Sequence, residues 1–71
     1  MTLHYYAETD SLYIELKSGP GVETVEVREG LNVDLDASGD VVGFDIDRAS
    51  ERLDLSRIEI VSLPPPQAPA A

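Results

Sequence analysis

The stretch Asp34-Leu35-Asp36-Ala37-Ser38-Gly39-Asp40-Val41-Val42-Gly43-Phe44-Asp45 has the spacing of a calcium loop. Carboxylates stand at its first, third and twelfth positions, Ser38 at the fifth, Gly39 at the sixth and an aliphatic at the eighth. Hard cations take oxygen ligands, and this order of residues places them around one sharp turn. The candidate ligands are Asp34, Asp36, Ser38, Asp40 and Asp45. Two departures weigh against the metal. The twelfth residue is Asp, which reaches less far than Glu, and the flanks alternate like strands rather than helices. A hairpin turn rich in Asp, Ser and Gly needs no cation, and in that reading Leu35 faces Val42. Calcium or small-ligand binding is therefore a third, weaker reading, ahead only of an enzyme.

A second set comes from strand register. His4, Tyr13, Glu26, Asn32 and Asp45 fall on one polar row when the strands are aligned by their apolar residues. A histidine, a tyrosine and two carboxylates at cross-strand spacing, about 4.5–5.5 Å between Cβ atoms, can hold a polar ligand or move protons. The outer face of any half-buried sheet carries such residues, and the sequence gives no sign of a pocket around them. There is no nucleophile elbow, and the chain has no cysteine. Gly19-Pro20-Gly21 lacks the lysine of a phosphate loop. The expectation is a protein that is not an enzyme and has no catalytic residue and no cofactor.

The elements that position these residues follow from period-two alternation. Leu3 to Tyr6 is a short first strand. Leu12, Ile14 and Leu16 mark the second, Val25 and Val27 the third. Leu31, Val33 and Leu35 mark the fourth, and Val42, Phe44 and Ile46 the fifth. Ala7-Glu8-Thr9-Asp10, Ser18-Gly19-Pro20-Gly21, Arg28-Glu29-Gly30 and Ala37-Ser38-Gly39-Asp40 separate them as turns. Such loops are too short for parallel crossovers, so the strands pair antiparallel. Arg48 to Leu53 reads as a short helical segment, and Ile58-Glu59-Ile60-Val61 as a sixth strand. The fold class is α+β, mainly β: an antiparallel five- to six-strand meander with one short helix after the fifth strand. One domain spans residues 1–63, and the Pro/Ala-rich residues 64–71 are expected to be a disordered tail.

Aligning the apolar positions gives one row of Leu3, Ile14, Val25, Val33 and Phe44, and a second of Tyr5, Leu12, Val27, Leu31 and Ile46. A six-residue helix cannot cover such a face. Leu3, Leu12, Ile14, Val25, Val33 and Phe44 are therefore candidate interface residues, and a homodimer is expected. Fourteen acidic against five basic residues give a net charge of −9. Phosphate backbones are repelled, so nucleic acid is not an expected partner. A basic protein is physically suited to Glu15, Glu26, Asp34, Asp36, Asp45 and Asp47, which project to one side. No apolar run is long enough for a membrane helix and no leader is apparent, so the expected setting is cytoplasmic, away from membranes.

Two segments carry a resemblance. Tyr6-Ala7-Glu8-Thr9-Asp10-Ser11-Leu12-Tyr13-Ile14 resembles the opening motif of the YuzE-like family of small conserved bacterial proteins of unknown function. Gly30 to Ile46, followed by Ala49-Ser50, resembles its second motif. The likeness covers roughly residues 5 to 53, with Ala7 standing where such members often carry an acid. It implies a bacterial origin and transfers no activity or catalytic residue. The leading expectation is a non-enzymatic, self-associating interaction module; the alternative is an antitoxin-like protein that masks a basic partner.

Overall fold

The computed structural model describes residues 1–62 and Pro64. Five strands form one open antiparallel sheet: β1 (Thr2–Tyr6), β2 (Ser11–Glu15), β3 (Glu23–Arg28), β4 (Leu31–Leu35) and β5 (Val41–Ile46). One short helix, α1 (Ala49–Arg52), follows β5. This is the mainly-β class with a small helix that the alternation predicts. Among the described residues Ile58–Val61 pairs with no strand, and the sheet has five strands rather than six. The expected tail of residues 64–71 lies, Pro64 apart, outside the described residues.

The strand order is β1-β2-β5-β4-β3, not the consecutive order of a simple meander. β5 has slipped between β2 and β4, and β3 lies at the far edge. Residues 16–22 make this crossing. Three strand spacings are about 14 Å, and seven extended residues reach about 23 Å. Leu16 and Val22 extend the ladders at each end, with Leu16 N–H donating to Val42 O and Val22 N–H to Leu35 O, both at 2.8 Å. Composition explains which strand goes inside. β5 carries Val41, Val42, Phe44 and Ile46 and suits the centre. β3 carries Glu23, Glu26 and Arg28, charges that discourage further pairing at an open edge.

The first apolar row survives this rearrangement intact. Leu3 faces Ile14, Ile14 faces Phe44, Phe44 faces Val33 and Val33 faces Val25. The second row holds through Tyr5, Leu12, Ile46 and Leu31 but ends at Arg28 instead of Val27. Val27 is the extra residue of a bulge beside the β3–β4 turn, where Gly30 takes φ +82° as the tight hairpin requires. A second bulge makes Leu35 face Val41, not Val42. Val42, the extra residue there, is only 3% exposed.

The helix is tied to the sheet at both ends. Ala49 N–H donates to Asp10 O at 2.8 Å, and Asp47 N–H to Gly30 O at 2.8 Å. Arg52 Nη2 donates to Glu29 O at 2.9 Å. These bonds seat Ala49 at 0% exposure and close one end of the apolar face, where Leu12 is 5% exposed. The rest of that face stays open. Leu3, Tyr5 and Val25 are exposed, and the strand residues of β4 are half-buried.

Candidate functional site

The polar row forms with its five expected members in a different order: His4, Tyr13, Asp45, Asn32, Glu26 across β1, β2, β5, β4 and β3. Tyr13 therefore neighbours Asp45 rather than Glu26. Tyr13 does not stand upright over the row. Its hydroxyl reaches across β5 and donates to Asp34 Oδ2 at 2.9 Å. It can do so because Gly43 lies beneath; a Cβ there would collide with the Tyr13 hydroxyl and ring. The other Asp34 oxygen accepts from Thr24 Oγ1 at 2.7 Å. One carboxylate thus joins β2, β4 and β3 over the strand between them. The bond to Asp34 also raises the Tyr13 pKa, with desolvation adding to it.

Asp45 lies in a shallow, open depression of about 460 Å³ with Tyr6, Thr9, Ser11 and Tyr13. Its pKa is raised, chiefly by burial and then by the charges of Asp47 and Asp34. His4 stacks on Tyr6, with ring centroids 6.4 Å apart. The row can offer hydrogen bonds and negative charge to a polar or cationic group. It assembles no nucleophile with a neighbouring base among the described residues.

The five candidate calcium ligands are not brought together. Asp34 is held by Tyr13 and Thr24 on the polar face, and Asp45 lies in the depression. Asp36 Oδ1 accepts the backbone N–H of Ser38 at 2.9 Å and of Asp40 at 3.0 Å, which closes the β4–β5 turn. Lys17 Nζ lies 3.3 Å from Asp36 and 3.5 Å from Asp40, so a cation already sits between those carboxylates. The bonds from Asp40 and Ser38 lower the Asp36 pKa. Among the described residues no group of three acids or histidines is placed to hold a metal ion.

One carboxylate with structural weight lies outside both expected sets. Asp10, in the β1–β2 turn at φ 53°, receives Ser50 Oγ at 2.7 Å and Ser50 N–H at 3.1 Å. Tyr5 Oη donates to it at 2.8 Å. Asp10 so clamps the start of α1 to the first hairpin. The signal was available, since Asp10 and Ser50 both lie in the segments quoted above for their resemblance, but spacing alone did not show that they meet.

A family model described as a protein of unknown function, DUF2283, matches residues 2–50. The chain belongs to the DUF2283 family. The match takes in all five strands, the Asp10–Ser50 clamp, and Tyr13, Asp34 and Gly43. The DUF2283 match stops inside α1, so Leu53 to Val61 lie beyond it. No curated protein and no solved structure matches the chain.

The clamp within this DUF2283 region makes a pH prediction. The Ser50 and Tyr5 bonds hold the Asp10 carboxyl below its ordinary value of 3.8. A depressed folded pKa gives stability that is present above the unfolded value and lost as pH falls through the folded one. Asp36 and Asp54 act in the same sense, and Asp45 in the opposite sense because its pKa is raised. Urea midpoints should therefore fall as pH drops below about 4. Asp10→Asn should lower the midpoint at pH 7 and flatten that acid limb. An acid limb as steep as in the parent chain would remove Asp10 from the account.

Proposed function

We propose that this chain is a non-enzymatic interaction module that associates with itself through the apolar face of its sheet. The observation that carries this reading is the size of the core. Among the described residues only Leu12, Val42 and Ala49 are buried apolar side chains, and no large side chain is fully buried. A single sheet layer with one four-residue helix leaves its apolar face half-covered. Sheets are stable when that face meets a second layer, and a second copy always accompanies the first. A bacterial origin, as the YuzE-like resemblance implies, and a cytoplasmic setting belong to the same proposal. Light scattering at micromolar concentration should return the mass of two chains. The mass of one chain at that concentration would overturn the reading.

A basic protein partner is the second reading, favoured by the other face. Among the described residues Glu26, Asp34 and Asp45 on that face have no ion pair to Lys or Arg, while Lys17 is engaged at the β4–β5 turn. An antitoxin-like role in masking a basic surface would use this charge. The same mass measurement at rising salt, with and without native lysate, parts the two. Apolar self-association keeps its mass, whereas a complex on the acidic face dissociates as charge is screened.

A further inference from the structure

The open part of the apolar face is a groove of about 710 Å³. Its sheet side is Leu3, Tyr5, Leu12 and Ile14; its other wall is the chain after α1, with Leu53, Leu55 and Ile58. That chain then continues into Ile58-Glu59-Ile60-Val61. The segment has the period-two pattern of a strand and pairs with none. Ile58, Ile60 and Val61 are 71%, 70% and 71% exposed. One molecule thus presents an unfilled apolar groove and an uncovered apolar arm, side by side.

We infer that the groove is filled by Ile60 and Val61 from the arm of a second copy of this chain, while Ile58 stays at the wall of its own groove. This deepens the self-association reading and rests on it. Reciprocal exchange satisfies both features in each protomer and closes as a two-fold dimer. The area is sufficient. Leu3, Tyr5, Leu53, Leu55, Ile58, Ile60 and Val61 are each 36–71% exposed. At on the order of 100 Å² apiece they approach the roughly 800 Å² that one partner gives to a standard interface. Charge at the contact largely offsets: the groove is also lined by Asp54 and Arg57, and Arg57 pairs with Glu59 of the arm at 3.1 Å. The strand carboxylates Glu26, Asp34 and Asp45 lie on the opposite face. Two sheets packed about 10 Å apart hold those acidic surfaces beyond the Debye length of about 8 Å at physiological salt. The arm lies outside residues 2–50, so this mode of pairing is a property of this chain rather than of the matched family region.

The natural absence of cysteine gives a clean test in the full chain. Leu3→Cys and Ile60→Cys are made separately, mixed in equal amounts and oxidised. The expected product is an interchain disulfide between the two variants. Ile60→Asp should weaken dimerisation at least about tenfold while far-UV circular dichroism is unchanged, because Ile60 is exposed within one chain. A monomeric parent chain would end the self-association reading and this one with it. A dimeric parent that gives no mixed disulfide, and whose Ile60→Asp variant dimerises as tightly, would overturn the arm and leave self-association standing. An intrachain disulfide in the doubly substituted chain at high dilution would also overturn it, since each groove would then hold its own arm.

Discussion

Leu12→Ala should cost about 2–5 kcal/mol of unfolding free energy, enough to leave much of the chain unfolded at room temperature. Leu12 is 5% exposed, on a strand flanked by β1 and β5. It and Ala49 are two of the three buried apolar residues in the described chain. Truncation removes the transfer energy of the lost atoms and leaves a cavity that a sheet held by ladder bonds on both sides cannot close. A domain this small has a total stability of only about 5 kcal/mol. Val27→Ala is the matched comparison. Val27 is the extra residue of an edge-strand bulge and 59% exposed, so its loss should cost under about 1 kcal/mol. Urea denaturation of both variants checks the pair. Equal losses would mean that the stabilising contacts are not where the exposures place them.

The face that Leu12 occupies was legible in the sequence; its neighbour across the sheet was not. The reason lies in the geometry of antiparallel order. In a consecutive meander β3 and β5 run in the same direction on either side of β4. Exchanging them keeps both hairpins, every strand direction and the membership of the row Leu3, Ile14, Phe44, Val33, Val25. Period-two alignment is blind to that exchange. Two other signals distinguish the arrangements. The β2–β3 connection is long enough to cross two strands, and β5 is more apolar than β3. The sixth strand failed for a different reason. Ile58–Val61 alternates correctly, but alternation records only that a segment can pair, not that this chain offers it an edge.

The polar face shows what the hidden exchange conceals. Its five residues form the expected row, yet the bond that organises it, Tyr13 to Asp34, depends on β5 lying between β2 and β4. In consecutive order Tyr13 would have met Glu26, and Gly43 would have had no particular partner. The five oxygen-bearing residues of the calcium spacing are divided within the β4–β5 hairpin itself. Asp34 is committed to Tyr13 and Thr24 on this face, while Asp36, two residues on, closes the turn. Asp10 was missed because its partners, Tyr5 and Ser50, lie five residues before it and forty after it. No periodicity links a turn to a helix start at that separation.

Gly43→Ala should destabilise the chain by about 1–3 kcal/mol, through a clash rather than through the turn chemistry usual for glycine. Gly43 lies inside β5, and its backbone is ordinary extended strand. A methyl group there would occupy the space of the Tyr13 hydroxyl and ring, and would also approach Ile14 O at 3.1 Å. The backbone of a central strand cannot yield, so the Tyr13 ring must lift. Its hydroxyl then leaves Asp34, which retains Thr24. The cost is the strain of that displacement plus a hydrogen bond to a charged group, about 1.5–3 kcal/mol at most when partly buried. A double-mutant cycle isolates the mechanism. Tyr13→Ala removes the colliding ring and leaves only the Ile14 O contact, so adding Gly43→Ala to it should cost clearly less than Gly43→Ala does alone. A coupling of at least about 1 kcal/mol between the two substitutions is the expected result. Additive losses would show that Gly43 is required for a reason other than Tyr13, and the bridge from β2 to β4 would lose its explanation.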